Sequence, residues 1–293
     1  MEDFIKAILI KEKISYNNIS KSTVGYNSLV YFIDDKFVIK ISKDETTKKK
    51  LHKEISIYKN IKLECIPKYI TSGVMQGYLY LIISKVKGNS LYSIWHTLSK
   101  EERQSCIKQI ARILKVFNNK DTDFLDAEYK DLNWITFLSN ELTTKSKILT
   151  KMGFNVTNID NFISHELPII FKQNKYGLVY NDAHFDNFIY DNGKLKLIDF
   201  DRVRVCPIDY EMLIFKTMCD NPRKFASEKD EDKIKDDDYI GIYQLFQSEY
   251  PEMFVNENID KRISVYQFNY LIGQAIQCND SQWIIELLDN FIK

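Results

Sequence analysis

The chain has 293 residues, of which 44% are hydrophobic and 13% aromatic; this excludes a disordered or fibrous protein and suffices for one large domain or two lobes. Lysine plus arginine equals aspartate plus glutamate at 41 each, so no net field draws the chain to nucleic acid or to an anionic membrane. Five widely spaced cysteines without a Cys-x-x-Cys pair argue against a disulfide framework and a thiolate zinc site, and read as reduced, mostly buried thiols. Met1 to Lys6 is too polar for a signal peptide, and no run reaches the roughly 18 apolar residues of a membrane span. A soluble cytoplasmic protein with no membrane or nucleic-acid partner is the expectation.

In chain order, Tyr26 to Ser42 forms two β-branched and aromatic runs around Asp34-Asp35, a hairpin signal with Gly25 just ahead of it. Thr46 to Ile61 is helical, with Leu51, Ile55, Tyr58 and Ile61 on one stripe and Glu54 beside it. After Pro67, Gly77 to Val86 reads as a hairpin arm ending in a buried strand, followed by a turn at Lys87-Gly88-Asn89. Leu91 to Phe117 is helical, with Ser99 as a cap and Glu102 three residues on, close to a capping box. Further helices are predicted near Asn133 to Leu149 and Asn158 to Asn174, the second closed by Gly177. Strands resume at Leu178 to Tyr180, Phe188 to Asp191 and Leu195 to Asp199, with Asp191-Asn192-Gly193 as a hairpin turn. From Asp209 the pattern is helical to the end, broken by the charged run Glu228 to Asp238. The fold class is therefore α+β: a β-rich segment, residues 1–86, precedes a larger and mainly helical segment, residues 87–293, that contains a small β insert.

Asp182, Asn187 and Asp199 stand at the edges of short apolar runs, where a β-scaffold can aim them at one point. Hard oxygen groups of this kind suit Mg²⁺ and a phosphoryl group, with one carboxylate left for an acceptor hydroxyl. Asp-x-x-x-x-Asn says little in a chain this rich in both residues. The Asn-Gly hairpin and Leu-Ile-Asp-Phe-Asp that follow make it specific.

The stretch Tyr-Asn-Asp-Ala-His-Phe-Asp-Asn (180–187) with Leu-Ile-Asp-Phe-Asp (197–201) resembles the His-Gly-Asp-Leu-His-x-x-Asn and Ile-Asp-Phe-Asp motifs of the aminoglycoside phosphotransferase and choline kinase family. That resemblance, to small-molecule relatives of protein kinases, implies a two-lobed protein-kinase-like fold: a small antiparallel sheet lobe with a helix, and a larger helical lobe. It also implies Mg²⁺-dependent transfer of the γ-phosphoryl group of ATP to a hydroxyl of a small molecule, aminoglycoside-like or an amino alcohol. GTP is not distinguished from ATP, because the hinge reads the base through backbone groups.

Carried over residue by residue, the resemblance makes Asp182 the catalytic base, Asn187 and Asp199 the Mg²⁺ ligands, and His184 the second His of the motif. Lys40, in Val38-Ile-Lys-Ile41, takes the place of the lysine that contacts the α and β phosphates, and Glu54 that of its ion-pair partner. Alone, Lys40 reads as an edge-strand solubility residue and Glu54 as a solvated helix charge. Gly25 to Tyr31 resembles the nucleotide-covering loop and contributes Gly25 and Ser28, although a single glycine cannot make a Gly-x-Gly-x-x-Gly cradle. Ile83 to Gly88 resembles the hinge and places Ser84 and Val86 beside the base.

One departure stands out: Tyr180 and Asn181 occupy the places of the motif's His and Gly, which bears on the geometry of the loop. Asp209 reads as a helix cap, or, by the resemblance, as an acid bracing that loop. Asp201 reads as part of the metal shell or as an ion-pair partner of Arg202 or Arg204, and Asp186 as a loop carboxylate. A metal-dependent hydrolase built on Asp182, His184, Asp186 and Asp199 would leave Lys40 and Glu54 without a role. A non-catalytic binding protein is the other alternative, and the intact Lys, Asp, Asn, Asp set speaks against it.

Overall fold

The computed structural model describes residues 1–22, 28–225 and 231–291. The chain divides into two compact units: Met1–Leu98, Asp123–Asp126 and Phe185–Arg202 in the first; Ser99–Thr122, Ala127–His184 and Val203–Lys293 in the second. The hairpin after Phe185 lies beyond residue 86 yet clusters with the N-terminal residues, because its strand Phe188–Asp191 pairs with Asn89-Ser90.

In the first unit, α1 (Glu2–Lys11) precedes five strands: β1 (Ile19–Lys21), β2 (Leu29–Ile33), β3 (Phe37–Ile41), β4 (Tyr69–Met75) and β5 (Tyr78–Ser84). They form one antiparallel sheet in the order β1-β2-β3-β5-β4. Helix α1 and strand β1 are additions to the elements expected from sequence. The helix carries Ile5, Ile8 and Leu9 on one stripe and buries it against Tyr31, Ile33, Ile39, Ile41, Tyr80 and Ile82. At about 1.5–3 kcal/mol for each large apolar side chain removed from water, that face holds the helix to the sheet. Because side chains alternate along a strand, burial of Ile39 and Ile41 on the α1 face sends Lys40 to the opposite face.

α2 (Glu45–Asn60) starts at Asp44, whose carboxylate accepts the Thr47 N–H at 2.8 Å in a reciprocal capping box, and it buries Leu51, Glu54, Ile55 and Tyr58. A small sheet joins Asn89-Ser90, Phe188–Asp191 and Lys194–Leu197. The hairpin turns through Asn192 (φ +48°) and Gly193 (φ +84°), the left-handed pair that an Asn-Gly turn supplies.

The helix predicted over Leu91 to Phe117 is interrupted, its first part in the first unit and its second part in the second. Leu91–Ile94 and a 3₁₀ turn Trp95–Thr97 end at extended Leu98, and a new helix, Lys100–Asn118, begins with a Ser99/Glu102 capping box. The stretch predicted as Asn158 to Asn174 ends earlier, at Ile170, after a π-turn over Phe162–Glu166. Pro168 has no N–H with which to continue the ladder there. Gly177 caps no helix: it lies in strand Tyr176–Val179, and a Cβ on it would sit 2.5 Å from the Asn118 carbonyl oxygen. That strand pairs with Arg204–Pro207, a four-residue strand whose short run and closing proline hide it from periodicity.

The second core gathers Trp134, Leu138 and Leu142 of helix Trp134–Lys151 with Tyr210, Leu213, Tyr266 and Ile272. Trp134 stands edge-on to Tyr210 at 4.8 Å, and Tyr210 edge-on to Tyr266 at 4.9 Å. All five cysteines are free thiols, Cys106 and Cys206 buried, Cys65 and Cys219 partly buried, and Cys278 exposed.

Candidate active site

In the first unit, the register that pairs Lys40 with Val30 and Leu81 holds its side chain at the centre of the sheet. Lys40 Nζ donates to Glu54 Oε1 at 2.6 Å and to Asp199 Oδ1 at 3.0 Å. Burial opposes the ammonium charge, yet the Asp199 and Glu54 carboxylates outweigh it and hold the amine well above its ordinary range. Burial pushes the Glu54 carboxyl upward, with Lys40 drawing it back and Asp199 adding to the rise. The Phe200 N–H points to Glu54 Oε1 at 3.4 Å, and the Phe200 ring meets Tyr58 edge-on at 5.2 Å, so helix α2 is fixed to the residue after Asp199.

Asn187 and Asp199 come from the two arms of one hairpin. Phe188 pairs with Leu197, and the Ile198 N–H donates to the Asn187 carbonyl at 3.0 Å, which puts Asn187 beside the residue preceding Asp199. Asp199 has φ +62°, a left-handed backbone uncommon for a residue with a Cβ and typical of strained functional positions. Its side chain is 44% exposed although Lys40 occupies Oδ1. Mg²⁺ keeps waters and takes only one or two protein oxygen groups beside substrate phosphates, a demand that one carboxylate and one carboxamide would fit. Among the described residues no three His, Cys, Asp or Glu side chains gather as a metal cluster.

Ser84 ends β5 and is tied to Lys68, donating its N–H to the Lys68 carbonyl at 2.9 Å and accepting the Lys68 N–H on Oγ at 2.8 Å. Val86 follows, half-buried, and Ser28 stands half-buried at the entrance to β2. Gly25 lies outside the described residues, as does the part of the charged run at 228–230. Asp186 accepts from Ser90 Oγ at 2.8 Å, a link between the hairpin and its partner strand. Asp201 lies 3.9 Å from Lys50, while Arg204 is paired with Asp131 at 2.7 Å, which corrects the pairing of Asp201 with Arg204.

In the second unit, strand Tyr176–Val179 leads into Tyr180, Asn181 and Asp182. Tyr180 is fully buried, edge-on to Phe117 at 6.4 Å, an aromatic filler where the motif has a histidine. Asn181 has φ +59°, a left-handed backbone at the position where the motif has glycine, and Asn is among the residues with a side chain that tolerate it best. Asp182 Oδ2 lies 3.5 Å from His184 Nε2, and the His184 N–H donates to the Asp182 carbonyl at 2.8 Å, closing the loop upon itself. The Phe225 ring lies 6.4 Å from the His184 ring.

The acid at this loop is Glu211, which the sequence reading did not single out. Its Oε2 accepts the Tyr180 N–H at 2.9 Å, and its Oε1 accepts the Asn181 N–H at 3.0 Å. Asp209, read as the cap or the bracing acid, instead takes both Arg262 Nε at 2.6 Å and Nη2 at 2.9 Å, with the Tyr266 hydroxyl at 3.0 Å. Both acids of Pro207-Ile-Asp-Tyr-Glu are buried, and each has its own partners.

The sequence profile of the phosphotransferase enzyme family matches residues 19–228, and the chain belongs to that family. Its activity is that of a kinase-type phosphotransferase with an alcohol group as acceptor. Solved structures share its protein-kinase-like fold, an antiparallel sheet lobe and a helical lobe. Aminoglycoside phosphotransferase APH(2'')-IIa, in a ternary complex with streptomycin and ATP, superposes with a TM-score of 0.75 at 18% identity, covering 99% of this chain and 98% of that one. ADP-bound APH(2'')-Ib gives a TM-score of 0.71 at 18% identity, covering 98% and 96%. The macrolide 2'-phosphotransferase MphH from Brachybacterium faecium gives 0.63 at 8% identity, covering 99% and 98%. No curated protein matches the chain in sequence.

Proposed function

We propose that this protein transfers the γ-phosphoryl group of ATP or GTP to a hydroxyl of an aminoglycoside-like or amino-alcohol acceptor. The observation that carries this reading is Lys40, held between Glu54 and Asp199 within the family's motif frame. A charged lysine fixed this way by two carboxylates is suited to the α and β phosphates of a nucleotide. Solved structures of the same fold carry ATP, ADP or GDP, and streptomycin, gentamicin or kanamycin, which suits the nucleotide and the acceptor class assigned here.

In this reading residues 1–86 form the nucleotide-binding lobe, with Gly25 and Ser28 in the covering loop and Ser84 and Val86 at the hinge. Residues 87–293 carry the catalytic and acceptor-binding part. Asp182 orients the acceptor hydroxyl and accepts its proton, and His184 steadies the loop. Asn187 and Asp199 would hold Mg²⁺, which when bound neutralises charge on the phosphates. The working location is the cytoplasm, where free thiols such as all five cysteines persist. No described helix is long and apolar enough to cross a membrane, and the balanced charge gives no footprint for nucleic acid.

The test is ADP and GDP release from the Mg²⁺ nucleotides across a panel of streptomycin, kanamycin, gentamicin, a macrolide and choline. One acceptor should raise release at least about tenfold over water, Asp182→Ala should abolish that rise while sparing nucleotide binding, and Asp199→Ala should remove both. Full acceptor-stimulated release in purified Asp182→Ala protein refutes the assignment of the base.

A further inference from the structure

Tyr58 lies one turn beyond Glu54 on α2 and is 1% exposed. Its ring packs on Phe200, and its carbonyl accepts Lys62 Nζ at 2.6 Å, so ring and backbone are both fixed. The hydroxyl is not. It is buried without a hydrogen-bond partner, although it faces the Lys40 amine, the carboxylates of Glu54 and Asp199, and the Asp199 N–H. All of these residues belong to the first unit. A phenylalanine would pack the same ring and leave no polar atom in the core. A buried hydroxyl whose bonds are unmade lowers stability, and its presence calls for an arrangement of the site that uses it.

In the nucleotide-free protein the missing bonds have a cause. Lys40 takes Glu54 Oε1 and Asp199 Oδ1 together, and the Phe200 N–H points to the same Glu54 oxygen. Asp199 is thereby held through its side chain, at φ +62°. When Lys40 turns to nucleotide phosphates that hold is lost, and a left-handed backbone at a residue with a Cβ needs another. The Asp199 N–H already faces Tyr58, and a tyrosine hydroxyl can accept from it while donating to a carboxylate.

Resting on the reading of Lys40 as the phosphate contact and Asp199 as a Mg²⁺ ligand, we propose that Tyr58 is a positioning residue for Asp199. Its hydroxyl accepts the Asp199 N–H and donates to Glu54, and so keeps the Asp199 carboxylate turned to the metal after Lys40 has released it. The hydroxyl is idle while Lys40 bridges the two acids and engaged when nucleotide and Mg²⁺ are bound. Burial, and then the Glu54 carboxylate, hold the hydroxyl well above its ordinary range against the pull of Lys40, so it keeps the proton that it donates. A bond made in the metal-bound state alone raises affinity for the metal and for nothing else.

Tyr58→Phe keeps the ring and removes only the hydroxyl, and the experiment needs no identified acceptor. Without ligand the variant should unfold at the wild-type temperature or up to about 4 °C above it, because an unpaired polar group has left the core. Unfolding temperature is then followed as Mg²⁺ is raised at saturating ATP or GTP, with EDTA as the metal-free arm. In Tyr58→Phe the Mg²⁺ midpoint should rise about five- to tenfold, while nucleotide affinity in EDTA stays within about twofold. Hydrogen exchange supplies a second reading. Nucleotide with Mg²⁺ should slow exchange of the peptide spanning residues 195–202 in the wild type, and by less than about half as much in the variant. A Tyr58→Phe protein that fails to fold, or is less stable without ligand, overturns the proposal, because the hydroxyl then serves the free fold. An unchanged Mg²⁺ midpoint overturns it too, as does equal weakening of nucleotide with and without metal, the mark of a packing defect. Asp199→Ala keeps the underlying reading apart. If that variant retains the wild-type Mg²⁺ midpoint, Asp199 is no ligand and the proposal falls with it; if it loses the Mg²⁺ response while Tyr58→Phe keeps it, the role of Tyr58 alone falls.

Discussion

Lys40 Nζ lies 3.0 Å from Asp199 Oδ1, a contact that spans 159 residues of sequence, and Glu54 completes it from 14 residues away at 2.6 Å. Glu54 is buried and Asp199 half-exposed, so the two carboxylates differ in what they lose if the lysine is removed. Glu54 would be left as a buried charge without a partner, and Asp199 would turn to water.

Lys40→Met should therefore do two separable things. Losing one partner of a buried pair costs about 3–5 kcal/mol, and Asp199 exposure puts this case at the low end. Turnover should fall about a hundredfold or more through loss of the phosphate contact. Urea denaturation should show Glu54→Gln added to Lys40→Met recovering stability, while nucleotide turnover stays lost. If turnover recovers with stability, the lysine serves only the fold.

Asn181 gives a sharper test of why the motif's glycine could change. At φ +59° a residue with a Cβ and no local hydrogen-bonding side chain costs roughly 1–2 kcal/mol. Asn181→Ala should cost about that much by chemical denaturation, and Asn181→Gly should cost less than about half of it, because glycine has no Cβ to clash at this positive φ. Equal effects of the two substitutions would show that the left-handed backbone is not what selects Asn here.

The hairpin β2–β3, helix α2 and the Asn-Gly turn were legible because each has a local cause: alternation, an apolar stripe, a pair of left-handed turn residues. The elements that were not legible depend on distant partners. Strand Arg204–Pro207 exists because Tyr176–Val179 lies beside it, and Gly177 is glycine because the end of another helix comes within 2.5 Å of its missing Cβ. For the same reason, Asp209 and Glu211 could not be told apart in sequence. Both are buried acids two residues apart, and only the fold shows that one faces Arg262 and the other two backbone N–H groups.

Arg262 and Asp209 are 1% and 7% exposed, and the guanidinium also reaches the carbonyls of Ile170 and Gln173. Every donor of the arginine that the fold buries is answered by protein, so truncating either partner strands the other. Asp209→Asn should cost about 3–5 kcal/mol, whereas the paired change Asp209→Leu with Arg262→Met should cost clearly less than the sum of its single changes. Denaturant unfolding of the four proteins in a cycle measures this. An additive cycle would mean that the pair contributes no coupling.

Glu211 leaves a mark on the pH dependence of stability. Burial raises it from 4.5 to about 7, so the folded chain holds this proton more tightly than the unfolded chain does. Its contribution to stability is full below pH about 4.5 and is lost as pH climbs through about 7, a difference of about 3 kcal/mol. Glu54 is pushed the same way and contributes a slope of its own that remains in any Glu211 variant. Urea unfolding at pH 5 and pH 8 should thus show the wild type losing more stability across the interval than Glu211→Gln, whatever the absolute cost of the substitution. Matching slopes would mean that Glu211 is already ionised at pH 5 in the folded protein.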